Sequence, residues 1–189
     1  QVQCPFKAYA LKRLFVQAPE DAQPAVGADQ HGELLHATLF EIWGTLKEQA
    51  ALLQLSHDQK LSLISGAVDL AWDKMKAKLI NTSQLFEASE KARILHHVDA
   101  WLQREAERPP FKVIEREEQY EVVLQGKTLN LKLDRVDELA SGATFCLDYK
   151  TSKRITSSEL TQEPLEKVQL PLYALAMSPA PHALAYGVI

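Results

Sequence analysis

The sequence predicts an α/β or α+β fold in which a mixed sheet is flanked by helices and follows a mainly helical part. Apolar residues recur at three- and four-residue spacing as far as Arg108, and beyond Pro110 they alternate with polar residues. Helical spacing then returns once, before a last apolar stretch at the end of the chain. With 189 residues, 46% of them hydrophobic, the chain can bury one sizeable core.

Four helices are predicted in the first 110 residues. The first covers residues 4–15 and is followed by a loop rich in proline, alanine and glycine. Amphipathic spacing predicts three more helices, over about residues 32–53, 57–80 and 86–107. The two prolines after Arg108 end the last of these helices, because proline cannot continue the backbone hydrogen bonding.

Three strands are predicted after the prolines, over residues 113–124, 129–136 and 143–150, and the short turns between them predict a meander. A helix over residues 163–177 and a strand over residues 183–189 complete the pattern. We expect residues 1–189 to form a single domain of a longer protein. Its helical part would be residues 1–110, and its sheet core would be residues 111–189.

Composition excludes several classes of protein. The formal net charge of −4 argues against a surface that is uniformly basic, although local basic patches remain possible. The sequence contains no apolar run long enough to span a bilayer and no signal peptide, so we expect a cytoplasmic protein without a membrane partner. Cys4 and Cys146 have no CxxC partner, which favours two reduced thiols over a zinc site or a disulfide.

The stretch FCLDYKTSK, residues 145–153, places an acid and a base within a strand. Because side chains alternate across a strand, Asp148 and Lys150 share one face, while Tyr149 lies on the opposite, apolar face. Twice the rise per residue separates Asp148 and Lys150 by about 6 to 7 Å. In the preceding strand, Asp134 lies on the face opposite Leu133. If these two strands form a hairpin, Asp134 and Asp148 can converge.

Two adjacent carboxylates repel each other unless a cation lies between them, and Mg²⁺ prefers oxygen ligands. A neighbouring lysine can orient an attacking water or neutralise charge on phosphorus. Asp134, Asp148 and Lys150 therefore predict metal-dependent phosphodiester hydrolysis. The alternative is a solvated ion pair, which is the usual role of an isolated Asp-x-Lys on a strand.

Two further positions support the hydrolytic interpretation. Gln169 and Tyr173 are four residues apart, so they share one face of the helix that follows the strands. His36 lies in the sequence HGELLH on a predicted helix. Each of these residues, taken alone, is more often a packing residue than part of a catalytic site.

Together these motifs resemble the PD-(D/E)xK nuclease superfamily, and in particular RecB-type nuclease domains of the AddB kind. The stretches that carry the resemblance occur in the order CPFKAYALKRL, GELLH, LKLDRVDEL, FCLDYKTSK and QLPLYALA, from Cys4 to the last strand. The resemblance implies a restriction-endonuclease-like core with an N-terminal helical insertion.

The resemblance also implies roles for the matching residues. Mg²⁺ or Mn²⁺ would be held by His36, Asp134 and Asp148, and Lys150 would serve the nucleophilic water. Glu115 or Glu118 would add an outer acidic contribution, and the sequence does not choose between them. Gln169 and Tyr173 would support the lysine and the DNA strand. Lys153 and Arg154 follow the strand closely and would contact DNA phosphates.

The implied activity is that of a DNA exonuclease in bacterial recombination and double-strand-break repair, with a helicase domain or subunit as partner. In AddB-type proteins an early cysteine, here matched by Cys4, holds an iron–sulfur cluster together with a later group of cysteines. No cysteine follows Cys146, so a cluster is expected only in a longer chain. The alternative is a non-catalytic DNA-binding or scaffolding module with a nuclease fold that docks a helicase. Cleavage of RNA or of flap structures is a third possibility.

Overall fold

The computed structural model describes residues 26–77, 79, 83–151, 169–177 and 180–189, with five isolated positions at residues 6, 9, 13, 14 and 16. The predicted helix over residues 4–15 falls almost entirely outside the described residues. In chain order, the elements are α1 (Ala28–Leu46), α2 (Gln49–Leu53), α3 (His57–Met75), α4 (Gln84–Ala106), β1 (Phe111–Leu124), β2 (Lys127–Leu139), β3 (Thr144–Lys150), α5 (Gln169–Ala176) and β4 (Ala183–Val188).

The predicted fold class is confirmed, because a mixed four-stranded sheet is flanked by helices and preceded by a helical part. The strand order is β1-β2-β3-β4, with an antiparallel meander from β1 to β3 and with β4 parallel to β3. Gln125 and Gly126 join β1 to β2, and both have positive φ, of 50° and 75°. Two such residues form the tight turn whose twist matches antiparallel strands.

The prediction of one helix over residues 32–53 was wrong in its boundaries. The first helix begins earlier, at Ala28, and ends at Leu46. Lys47 has a φ of 61°, and its carbonyl oxygen accepts a 2.7 Å hydrogen bond from the N–H of Val113. The chain therefore leaves the helix to join the sheet, and a separate short helix, α2, follows.

Other boundaries differ by a few residues. The helix predicted to reach residue 80 ends at Met75, and the strand predicted to end at residue 136 continues to Leu139. Leu129 lies on the same strand face as buried Leu133 by alternation but is 37% exposed, because it lies near the tip of the β1–β2 hairpin.

The sheet separates two apolar clusters. The larger lies between the helices and one face of the sheet, and the smaller lies between the other face and α5. Trp43 of α1 and Tyr149 of β3 belong to the larger cluster, whereas Leu133 and Val136 of β2 pack with Tyr173 of α5 in the smaller. Burial on both faces explains why β3 is buried along most of its length.

The side-chain alternation of β2 is interrupted at the candidate site. Leu133 and Val136 both face α5, although they are three positions apart and regular alternation would place them on opposite faces. Between them, Asp134 contacts α1, and the guanidinium of Arg135 lies 4.5 Å from the centre of the Trp43 ring. Because two successive side chains point towards the helices, Asp134 can reach both α1 and the end of β3.

A buried ionic network joins the helices to the sheet beside this point. Arg135 is 1% exposed and donates hydrogen bonds to Glu105 of α4 (2.8 Å), to Asp137 of β2 (2.7 Å) and to the Tyr149 hydroxyl of β3 (2.9 Å). Charged groups this deeply buried are tolerated only when they are paired. The network therefore holds α4, β2 and β3 together in a fixed arrangement.

Candidate active site

Five of the sequence-predicted residues lie together where α1, β2, β3 and α5 meet. Pairing of Arg135 with Leu147 in the antiparallel β2–β3 ladder places Asp134 opposite Asp148, one step further along. The expected convergence of these two strands is therefore present. The five residues are His36, Asp134, Asp148, Lys150 and Tyr173.

Asp134 connects three elements. One carboxylate oxygen accepts a 2.7 Å hydrogen bond from the backbone N–H of Tyr149, in place of the ladder bond that would otherwise continue the strand pairing. The other oxygen lies 3.3 Å from Nδ1 of His36. Because both oxygens are engaged, the orientation of the carboxylate is fixed by β3 and α1.

His36 reaches the site from the middle of α1, where its ring also meets the Tyr149 ring edge-on at a centroid distance of 5.8 Å. Burial disfavours the charged imidazolium and lowers the pKa. The hydrogen bond to Asp134 and the negative charges of Asp134 and Asp148 act more strongly, so the pKa of His36 lies above 6.5. His36, Asp134 and Lys150 also line one cleft.

Asp148 is 1% exposed and lies between two partners. Lys150 Nζ is 2.5 Å from one carboxylate oxygen, and the Tyr173 hydroxyl is 3.2 Å from the other. Burial and the nearby charge of Asp134 raise the pKa of Asp148, and the contacts with Lys150 and Tyr173 oppose this rise. The net result is a raised pKa, which reflects the cost of keeping two carboxylates close together.

Tyr173 contributes the contact from α5. Its hydroxyl donates a 2.6 Å hydrogen bond to the backbone carbonyl of Lys132, in addition to its contact with Asp148. Gln169 lies on the same helix, one turn earlier, and its side chain is outside the described residues. Lys153 and Arg154 also lie outside the described residues.

The site opens into a cleft of about 660 Å³. Gly32 lies one turn before His36, and a Cβ atom at its position would come within 3.4 Å of Thr151 Oγ1. The helix and the residue that follows β3 therefore lie at contact distance beside the cleft. The charged or titratable residues that line the cleft are Asp29, Glu33, His36, Glu117, Lys132, Asp134, Tyr149 and Lys150.

Sequence reasoning missed Glu117. The carboxylate of Glu115 accepts a hydrogen bond from the Tyr120 hydroxyl, and Glu118 is exposed and does not line the cleft. Neither of these two expected residues is therefore the acidic group that β1 contributes to the cleft. Glu117 has a φ of 51°, and this break in the strand conformation has no signal in the sequence.

The residues present suit a divalent cation, although no three of the described histidine, cysteine and acidic side chains form a ready-made ligand group. Two carboxylates and an imidazole are a suitable donor set for Mg²⁺ or Mn²⁺. In this arrangement His36 contacts Asp134, and Lys150 contacts Asp148. A cation close to the two carboxylates would reduce the repulsion between them.

Comparison with protein families agrees with this geometry. A sequence profile of the PD-(D/E)XK nuclease superfamily matches residues 2–187. The chain belongs to this superfamily. No curated protein sequence matches the chain closely enough to identify a relative.

Membership of the PD-(D/E)XK nuclease superfamily suggests nuclease activity and implies DNA as substrate. Nucleases of this superfamily generally use divalent metals such as Mg²⁺. Within the part of the chain that the structure describes, no helix has both the length and the apolar character needed to cross a membrane.

Proposed function

We propose that this PD-(D/E)XK protein is a Mg²⁺- or Mn²⁺-dependent deoxyribonuclease of the RecB type. In this proposal it acts as an exonuclease in bacterial recombination and double-strand-break repair, in the cytoplasm and with a helicase as partner. The observation that carries the proposal is that His36, Asp134 and Lys150 line one cleft, with buried Asp148 in contact with Lys150.

His36, Asp134 and Asp148 would hold the divalent ion, which would supply positive charge to the phosphate and to the attacking water. The protein keeps these ligands in place through contacts outside the set. The N–H of Tyr149 fixes Asp134, and the Tyr173 hydroxyl lies against Asp148. Such supporting contacts orient ligands and strengthen metal binding.

Lys150 is the proposed partner of the nucleophilic water. Its side chain is 30% exposed, so its ammonium group can face the cleft while it contacts buried Asp148. An ammonium group at this position can orient water and stabilise the negative charge that develops on the phosphate oxygens. Gln169 would support this lysine from α5.

DNA would be held mainly through its phosphates. Lys153 and Arg154 follow Lys150 closely in the sequence, and we propose that they and Tyr173 contact the strand next to the cleavage site. Binding through phosphates weakens as salt concentration rises. A measured decrease in DNA affinity with salt would therefore support this arrangement.

A cleavage assay with the full chain tests the proposal. We expect linear DNA to be degraded with Mg²⁺ or Mn²⁺, and closed circular DNA to resist, because an exonuclease needs an end. Lys150→Ala should lower the cleavage rate by about 10²- to 10³-fold while DNA affinity changes little. Lys127→Ala, which removes an exposed lysine at the hairpin turn, is the control and should cleave normally.

Three results would contradict parts of the proposal. Binding of DNA without cleavage in either metal would indicate the non-catalytic scaffolding module instead. Equal cleavage by wild-type protein and Lys150→Ala would exclude the catalytic role of this lysine. Cleavage of closed circular DNA would show an endonuclease rather than an exonuclease.

A further inference from the structure

A buried pair of titratable side chains outside the candidate active site joins the start of α1 to α4. His31 is the fourth residue of α1, and its Nδ1 contacts a carboxylate oxygen of Glu90 in α4. The two side chains are each 10% exposed. Titratable groups are seldom buried between helices unless they are paired. The contact between His31 and Glu90 therefore fixes the start of α1 on α4.

A second histidine faces His31 across this interface. The His97 ring of α4 meets the His31 ring edge-on, at a centroid distance of 5.5 Å. Nδ1 of His97 is buried and has no hydrogen-bond partner among the residues that the structure describes. A neutral imidazole can leave one nitrogen unprotonated, whereas an imidazolium carries a proton on both. Protonation of His97 would therefore place a donor without an acceptor in the interface.

The charges around His97 also disfavour its protonation. His31, Arg93 and His96 are or can become cationic, and the carboxylate of Glu90 opposes them. Glu90 is shared, because a guanidinium nitrogen of Arg93 lies 2.9 Å from one of its oxygens. Burial, followed by the three positive neighbours, lowers the pKa of His97 below 6.5.

The helix α3 faces α4 through different groups. Lys60 Nζ lies 2.7 Å from a carboxylate oxygen of Asp99, and Lys91 Nζ lies 2.9 Å from a carboxylate oxygen of Asp69. Each of these charges has a partner of opposite sign on the facing helix, and neither pair includes a histidine. Among these described contacts of α4, the groups that can change charge near neutral pH therefore lie at the contact with α1.

We propose that His31, Glu90 and His97 form a pH-sensitive latch, which holds the start of α1 on α4 at neutral pH and releases it in acid. The proposal goes beyond the nuclease function and needs neither DNA nor a metal ion. In the released form His97 is open to water, so below pH 6.5 this form takes up a proton more readily than the closed form. Acid therefore shifts the population towards release.

Release of the latch would reach the candidate active site, because the same helix lines its cleft. Asp29, Gly32 and His36 belong to α1 and lie along the cleft. The Cβ position of Gly32 is 3.4 Å from Thr151 Oγ1, so this part of α1 also meets the residue that follows β3. A helix start that leaves α4 would loosen this wall of the cleft.

Hydrogen–deuterium exchange of the full chain tests the latch. The exchange rate of each backbone amide is measured by NMR at about pH 7.5 and about pH 5.5. Each rate is converted to a protection factor, which removes the direct effect of pH on exchange. The fall in protection of residues 31–35 on acidification should be at least about threefold larger in wild-type protein than in His97→Phe. At residues 98–105 of α4, the two proteins should agree within about twofold.

The variants separate the charge of His97 from its packing. His97→Phe removes the titrating group and keeps a ring beside His31. His97→Gln is a second uncharged replacement, which keeps the test valid if the phenyl ring disturbs the fold. His96→Phe is the matched control, because it makes the same change at the neighbouring, exposed histidine and should keep most of the wild-type fall. His36 is present in all four proteins, so its own titration cancels in these comparisons.

Three results would overturn the inference. The first is an equal acid-induced fall in wild-type protein, His97→Phe and His97→Gln. The second is loss of the fall in His96→Phe as complete as in His97→Phe. The third is an excess fall of wild-type protein over His97→Phe that is as large at residues 98–105 as at residues 31–35, which would show destabilisation of the whole molecule instead of release of one helix start.

Discussion

The hydroxyl group of Tyr173 links two strands of the candidate site, because it contacts both the carbonyl of Lys132 in β2 and the carboxylate of Asp148 in β3. Tyr173→Phe removes only this group. We expect the free energy of unfolding to fall by about 0.5 to 1.5 kcal/mol, measured by urea denaturation. The pKa of Asp148 should rise further, because its contact with the hydroxyl lowers it.

Metal binding provides the functional measurement for the same variant. We expect Tyr173→Phe to weaken Mn²⁺ binding, because Asp148 loses the contact that orients it. Tyr120→Phe is a matched control, since the Tyr120 hydroxyl bonds Glu115 rather than a residue of the cleft. An equal loss of Mn²⁺ affinity in both variants would show that Tyr173 has no special role at Asp148.

The pKa of His36 gives a pH-dependent prediction for the ion-free protein. Because contact with Asp134 raises this pKa above its unfolded value of 6.5, His36 stabilises the fold fully below pH 6.5. The stabilisation is lost as the pH rises through the folded-state pKa. His36→Gln should therefore lower the free energy of unfolding more at about pH 5.5 than at about pH 8.5.

The Asp134→Asn background supplies the control for this effect. Without the carboxylate, the pKa of His36 should fall. The effect of His36→Gln on the free energy of unfolding should then depend less on pH. Urea denaturation at the two pH values measures both comparisons. If His36→Gln lowered the free energy of unfolding more at high pH than at low pH, Asp134 would not be the partner of His36.

For single residues, the two-residue period of the strands was sufficient to select Asp134, Asp148 and Lys150 as candidates for one site. Their spacing along two neighbouring strands is visible in the sequence, and the pairing of β2 with β3 provides the rest. Glu117 could not be found in this way. Regular alternation does not predict a residue with positive φ, and the sequence around Glu117 contains no glycine or asparagine to mark it.

At the scale of helices and strands, α1 and β1 pack closely together at a glycine of the helix. Gly44 of α1 lies against Arg116 of β1, and a Cβ atom there would come within 2.4 Å of the guanidinium. Arg116 cannot move freely, because it donates a 2.6 Å hydrogen bond to the carbonyl of Phe40 and stacks on the Phe40 ring. The glycine therefore permits β1 to pack against α1.

Substitution of two helical glycines tests this contact. Gly44→Ala should lower the free energy of unfolding by about 1 to 3 kcal/mol, because the arginine must be displaced. Gly66→Ala in α3 is the matched control. With no atom within 4 Å of its Cβ position, it should raise stability by about 0.5 to 1 kcal/mol through helix propensity. Equal stabilisation by both substitutions in urea denaturation would exclude the Arg116 contact.

The helices and strands themselves were largely predictable, because their periods of 3.6 and 2 residues are clear in the sequence. The end of α1 was not. Lys47 carries no local sign of a helix end, and its carbonyl is engaged by Val113, a residue far along the chain. A tertiary hydrogen bond thus ends the helix where its amphipathic pattern continues.

At the scale of the whole molecule, the Arg135 network joins the helical part to the sheet. Arg135→Met would leave the two buried carboxylates, Glu105 and Asp137, with a single cationic partner, Arg108. We expect a loss of about 3 to 5 kcal/mol in the free energy of unfolding, measured by urea denaturation.

Lys91→Met is the comparison for this prediction. Lys91 pairs with Asp69 and Glu87 near the surface, and its removal should cost less than about 1 kcal/mol. If both substitutions had equally small effects, the buried network would not be a major link between α4 and the sheet.

The sequence alone did not predict this network. In the sequence DRVDE, residues 134–138, alternating charges look like the solvated face of a strand. Arg135 is buried because Glu105 comes from a helix 30 residues earlier and because Trp43 covers its guanidinium. Burial of this kind depends on the arrangement of distant elements and has no local pattern.

The same network restricts how such a protein could be recombined into chimaeras. A sheet transplanted onto foreign helices would bring Arg135 and Asp137 with it but would lack Glu105 and the Trp43 ring. Arg135 would then be buried with part of its hydrogen bonding unsatisfied, which is costly in an apolar interior. A chimaera that folds would therefore need Glu105 and Trp43 to be transferred together with Arg135. The helical part and the sheet would then have to be exchanged together.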